Sequence, residues 1–144
     1  MIANPTTYQS IKTALDTWAE SYAKRDIKRL LAGVTPDPDL VMYGTGADEK
    51  RIGLAGLQTQ AERDWSQTDA AAFILHDPLI SSAGSVAWVS SDATFKVEAE
   101  GQELAFPARF TGVFEKRDEA WLVVQAHFSL PAPEQESGHS VPTN

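Results

Sequence analysis

The chain has 144 residues, 42% hydrophobic and 22% charged, with a formal net charge of -8 and no cysteine. That length suits one domain with one core, and four Trp, six Phe and three Tyr are enough large side chains to build it. The acidic balance argues against nucleic acid as a partner, the lack of cysteine excludes disulfides and thiolate metal sites, and no apolar run approaches the ~20 residues of a membrane span.

The start, MIANPTTYQS, lacks the basic residues and apolar run of a secretion signal, so the expected address is cytoplasmic. Tyr8, Ile11, Leu15, Trp18 and Tyr22 recur at spacings of 3, 4, 3 and 4, which places them on one helix face. Lys12, Asp16, Glu20 and Lys24 fall on the other side, and Thr6 or Thr7 is the expected cap. Asp26 reads as the N-cap of a second, short helix with Ile27, Leu30 and Leu31, stopped by Gly33 and the Pro36–Asp39 stretch. The cluster Lys24, Arg25, Lys28 and Arg29, broken by Asp26, is a solvated helix face.

Leu40–Tyr43 predicts a short strand, followed by turn residues from Gly44 to Asp48. Gly53 precedes a third helix with Leu54, Leu57, Ala61 and Trp65 on one face. After Asp69 the pattern becomes strands at Phe73–His76, Val86–Ser91, Ala93–Ala99, Leu104–Phe114 and Trp121–Phe128. Turns are expected at Ala83-Gly84, Glu100-Gly101 and Arg117-Asp118-Glu119, and the short ones imply antiparallel pairing. Helices first and a meander afterwards make an α+β domain in which helices cover one face of a bent sheet. Residues 1–130 form that domain, and residues 131–144 read as a disordered tail.

Several catalytic signatures are missing. GTGADEKRIG has no Gly-Lys pair for a phosphate loop, and Glu49 stands where a dinucleotide fingerprint needs its third Gly. The segment reads as a tight hairpin turn with charged flanks. His76, His127 and His139 form no paired metal motif, and there is no GxSxG elbow for a Ser-His-Asp hydrolase. The sequence calls for no metal and no cofactor.

The segment FTGVFEKRDEAWLVVQAHFSLP, Phe110 to Pro131, joins a strand, a charged turn and an alternating strand ending in His-x-Ser. It resembles the closing hairpin of SnoaL-like domains in the nuclear transport factor 2-like superfamily. The greatest likeness is to the association domain of calcium/calmodulin-dependent protein kinase II and its free-standing bacterial relatives. Thr111, Phe114, Arg117-Asp118, Trp121-Leu122, His127 and Ser129 carry the match. The helical opening and the YGTG hairpin before Gly53 support it, over roughly residues 8–130. The resemblance implies a cone-shaped fold, a curved antiparallel sheet wrapped round N-terminal helices. It also implies a pocket between the concave sheet face and the helices, and a homodimer through the convex sheet face. The fold hosts enzymes and binders alike, so function must come from the pocket.

Period-two alternation divides the last strand into Trp121, Val123, Gln125, His127 and Ser129 on one face and Leu122, Val124, Ala126 and Phe128 on the other. The uniformly apolar second set suits a buried or subunit-covered surface, so the first set is expected to line the pocket. By the resemblance, Trp88, Ser90 and Asp92 also face inward, which would bring Asp92 near His127 as an acid–base pair. The bland alternative puts Asp92 in solvent at a strand bend and His127 in the core. Tyr43 and Trp65 complete the candidate ligand-binding set, although each also fits a core role. Arg109, alternating with Phe110, is expected on the convex side. In the ketosteroid isomerases of the superfamily, the catalytic Tyr and two Asp correspond to places near Trp18, Gly44 and Phe110, none able to transfer a proton, so that mechanism is not carried over. The inward Arg residues of the kinase association domain correspond to Asp92 and Gly112.

The leading expectation is a homodimeric domain that binds a small-molecule ligand. The alternatives are an isomerase, cyclase or dehydratase that uses His127 with Asp92, and a dimerisation or assembly module.

Overall fold

The computed structural model describes residues 1–143. Helix α1 (Pro5–Ala23) begins two or three residues earlier than the Thr residues suggest. Asn4 caps it, its side chain accepting from the Thr7 backbone N–H at 2.8 Å. Pro5 takes the first helical position, where the N–H it lacks would have had no partner. The face read from the sequence is the buried one: Ile11, Leu15 and Trp18 are enclosed, with Tyr8 and Tyr22 packed beside them. Helix α2 (Ile27–Ala32) is capped by Asp26, as its sequence implies.

Strands β1 (Val41–Tyr43) and β2 (Lys50–Ile52) form an antiparallel pair about the glycine-rich loop. Helix α3 (Gly53–Ser66) follows directly, and Gly53 turns the chain into it at φ 73°. Four long strands complete the chain: β3 (Ala70–Ala83), β4 (Val86–Ala99), β5 (Gln102–Arg117) and β6 (Ala120–Ser129). The segments expected as two strands around Asp92 are one continuous β4. At the β4–β5 turn Glu100 and Gly101 both have positive φ, the geometry that matches the twist of a two-residue hairpin.

The sheet runs β2-β1-β6-β5-β4-β3. Consecutive long strands pair antiparallel, but β1 lies parallel to β6, so this curved, unclosed sheet is mixed. A parallel pair needs a long connection, and the whole of α3 through β5 separates these two strands. The N-terminus adds a short bridge at the β3 edge, Ile2 opposite Ser81. Arg117, at the end of β5, ties the closing hairpin to the loop before β1 through Thr35 at 2.8 Å and Asp37 at 2.7 Å.

The core lies between α1 and the concave sheet face. Ile11 and Leu15 from the helix meet Ile80, Val89, Phe110 and Phe114 from the strands. Trp18, Phe73, Phe110 and Phe128 form an aromatic group within it, with Phe110 and Phe128 centroids 4.9 Å apart. Residues 130–143 are exposed and form neither helix nor strand. Asn144, the last residue of the expected tail, lies outside the described residues.

Candidate functional site

The pairing register decides which strand residues face the helices. On β6, Val113 of β5 pairs with Gln125, but the next residue, Phe114, pairs with Val123. Val124 is therefore an extra residue, a β-bulge that reverses the alternation beyond it. Val123 faces inward, and so do Ala126 and Phe128, at 1% and 8% exposure. Gln125 and His127 point to the convex side, which overturns their expected place on the pocket wall. On β4 the inward set is Ala87, Val89 and Ala93, all buried. Trp88, Ser90 and Asp92 are on the convex side, also contrary to expectation. The small residues are inward because α1 and the Phe side chains of β5 fill the space above them.

The pair drawn from Asp92 and His127 does not form. Asp92 pairs across strands with His76 and Arg109, whereas His127 lies opposite Thr111 and Tyr43. β5 stands between the two strands, so their backbones are on the order of 10 Å apart. His127 stacks on Tyr43 instead, with ring centroids 5.0 Å apart. Trp65 packs on Tyr22 at 5.9 Å and donates its Nε1 hydrogen to the Tyr22 carbonyl. It is a helix–helix contact and not part of the cavity wall. Arg109 points to the convex side, where it donates to Ser129 and to the Leu130 carbonyl.

A cavity of about 220 Å3 opens between α1, α3 and the concave face. Most of its wall is apolar: Trp18, Leu57, Phe73, Phe95, Phe106 and Phe128. One side is polar and comes from α1, α3 and the β1–β2 hairpin. There Tyr22 donates its hydroxyl to Asp64 Oδ2 at 2.8 Å. Gln60 Nε2 donates to Asp64 Oδ1 at 2.8 Å and to Glu49 Oε1 at 3.0 Å. Arg51 Nε donates to Gln60 Oε1 at 2.9 Å. Because arginine only donates, it fixes which way the Gln60 amide lies. Tyr43 reaches the rim of this cavity while its ring is on the His127 side.

Burial dominates the electrostatics of the Tyr22–Asp64 pair. It pushes the Tyr22 phenol well above the usual tyrosine range, and the neighbouring Asp64 carboxylate adds to the rise. It also raises the Asp64 carboxyl, although the hydrogen bonds from Tyr22 and Gln60 oppose this. Ionised Asp64 accepts the Tyr22 proton donor. Protonated Asp64 can donate to Tyr22 instead, which frees the phenol O–H for a ligand. The pair can therefore present either an acceptor or a donor to the cavity. Arg63, outside the wall, pairs with Asp48 and Glu49 at 2.8 Å each. Trp18 Nε1 is buried and has no hydrogen-bond partner among the described residues.

Sequence reasoning read Tyr22 only as a helix-face residue and passed over Gln60, Asp64 and Arg51. A signal was present. Gln60 and Asp64 are four apart and each precedes a residue of the apolar stripe, Ala61 and Trp65. Polar groups at helical spacing on the border of a buried face mark the edge of a cavity.

A family model described as SnoaL-like domain matches residues 11–133. None of the curated proteins matches the sequence. Among solved structures, one from Streptomyces avermitilis, provisionally assigned as a dehydratase of the NTF2-like family, is similar with a TM-score of 0.81 and 16% identity. It covers 90% of this chain and 99% of its own. Another, from Xanthomonas campestris and provisionally assigned as a calcium/calmodulin-dependent protein kinase II association domain, has a TM-score of 0.75 and 23% identity over 87% of each chain. A protein of unknown function with a cystatin-like fold, from Nostoc punctiforme, has a TM-score of 0.75 and 13% identity, covering 92% of this chain and 97% of its own. At such identities the likeness shows the fold alone.

Proposed function

The chain belongs to the SnoaL-like domain family, and from that premise we propose that it binds a small molecule in the cavity between α1, α3 and the concave sheet face. The observation that carries this reading is the half-buried Tyr22–Asp64 pair on one wall of an otherwise apolar cavity. Such a lining suits a ligand with an apolar body and one or two polar groups, since few convergent polar atoms fix orientation while the rest of the wall excludes water. A cavity of comparable measure, about 150 Å3, accepts benzene in an engineered protein, so the available 220 Å3 suits a molecule of roughly one substituted ring. The reading also takes a cytoplasmic address. No helix among the described residues is long and apolar enough to cross a membrane.

The test is a screen of ring-sized compounds, read by Trp fluorescence and by protein-observed NMR. Trp18 on the cavity wall serves as the reporter. Ala61→Leu projects extra volume from α3 and should abolish binding of any hit while the protein stays folded. Hits that bind equally well to Ala61→Leu would refute the cavity as the site.

A second reading has one observation in its favour: a carboxyl of raised pKa, hydrogen-bonded to a phenol in an apolar enclosure, is the make-up of an acid–base site. An isomerase, cyclase or dehydratase would then use Asp64 with Tyr22, in place of His127 and Asp92. Exchange of solvent deuterium into a bound carbonyl compound, lost in Asp64→Asn, would favour it. Binding without exchange would leave the protein a binder. An assembly module needs no such cavity.

A further inference from the structure

The polar wall of the cavity is unevenly satisfied. Each carboxylate on it has donors: Glu49 has Arg63 and Gln60, and Asp64 has Tyr22 and Gln60. The cation is different. Arg51 is half-buried and lines the cavity, yet the only hydrogen bond its side chain makes among the described residues runs from Nε to Gln60. No carboxylate of the described residues forms an ion pair with it, although Arg63 nearby holds two. The Nη1 and Nη2 nitrogens are thus an open, planar donor pair beside an aromatic enclosure. That fork matches the two oxygens of a carboxylate, and such paired, charge-assisted hydrogen bonds are stronger than neutral ones.

We propose that the ligand is a single-ring carboxylate, with its carboxylate held by Arg51 and its ring placed among Phe73, Phe95, Phe106 and Phe128. This inference rests on the binding reading above and narrows it to a ligand class. Size limits the ring count, as the cavity holds about 220 Å3. The aromatic walls accept a ring face or edge, since Phe95 and Phe106 lie 5.7 Å apart and Phe95 and Phe128 5.3 Å apart around the same space.

The experiment titrates the full-length protein with benzoate and cyclohexanecarboxylate, and with their neutral counterparts benzamide and benzyl alcohol, under matched conditions. Binding is read by Trp fluorescence and by NMR shifts of cavity residues. The expected result is at least about tenfold tighter binding of the carboxylates, with a preference that shrinks as salt is added. Arg51→Gln should reduce benzoate affinity to that of benzamide, whereas Arg51→Lys should keep part of the preference. Neutral compounds that bind the cavity as well as the carboxylates, or a preference that survives Arg51→Gln in a folded protein, would overturn this inference and leave the binding reading intact. Failure of every ring compound to bind would overturn both. The wild-type ratio and its salt dependence need no variant, so they decide the matter even if Arg51→Gln does not fold.

Discussion

Asp64 links the cavity to pH. Its carboxyl is raised in the folded protein, so the folded state holds that proton more tightly than the unfolded chain does. Its contribution to stability is fully present below the unfolded aspartate value of about 3.9 and is lost as pH rises through the raised folded value. Asp37 and Asp48, whose carboxyls are lowered by hydrogen bonds from Arg117 and Arg63, have the opposite sign and mask this in the wild type alone. The comparison that isolates Asp64 is the stability of Asp64→Asn relative to wild type. That difference should shift in favour of the variant as pH rises from about 4 toward neutrality, as measured by denaturant melts; a flat difference would mean that Asp64 is not raised. Tyr22→Phe should cost about 1–3 kcal/mol, because it leaves the half-buried Asp64 carboxyl one donor short. His127→Ala should do little. The side chain is exposed on the convex face and stacks on Tyr43, so the change should cost about 1 kcal/mol or less. It should also leave any cavity ligand's affinity unchanged, and lost binding would contradict the placement of the site.

Among the elements, β5 and β6 carry the tightest constraint. Gly112 is on the inward face between Phe110 and Phe114, and a Cβ there would come within 2.7 Å of the Phe110 ring. Phe110 is 1% exposed and packed against Phe128 and Trp18, so it has nowhere to move. Gly112→Ala should therefore destabilise the protein by roughly 1–3 kcal/mol in a thermal or chemical melt. A neutral result would show that the aromatic group is looser than this packing. The same glycine pairs with Ala126, two residues past the bulge at Val124. Two small residues side by side let the large Phe rings on either side share the concave face, and the bulge is what presents Ala126 to that face.

Across the whole molecule, the helices cover one side of the sheet and leave the convex side open. The aliphatic strip expected there on β6 is not available, since Ala126 and Phe128 are core residues. The exposed apolar side chains of that face include Tyr43, Ile52, Ile74, Leu79 and Val86, interspersed with Ser90, Thr111 and His127. Our proposal for the assembly is a homodimer through this face, because several large apolar side chains on one uncovered surface favour a partner. Thr111 lies at its middle and is exposed, so Thr111→Lys should barely alter the monomer yet weaken association. Light scattering over a range of concentrations checks this, and a wild-type monomer at the highest concentration would refute the dimer.

The sequence by itself determined the local and the periodic. Spacings of three and four residues settled the buried face of α1, because a helix turns its face by the same angle at every step. Asp26 and Gly53 could be read as boundaries because a cap and a positive φ are properties of a few adjacent residues. The closing hairpin carried enough of a pattern to identify the fold. Only the tertiary structure decided which side of each strand the helices would cover. Period two offers two equivalent faces, and a single extra residue at Val124 exchanges them without changing the composition of the strand. On β4 the resemblance implied an inward face for Trp88, but the space under α1 is filled by Phe rings of β5, and the smaller Ala87 and Val89 face inward. The site has the same origin. Tyr22 is distant in sequence from Arg51, Gln60 and Asp64, and the four come together only where α1, α3 and the β1–β2 hairpin meet. Hydrogen bonds between such residues depend on distances that no local pattern records.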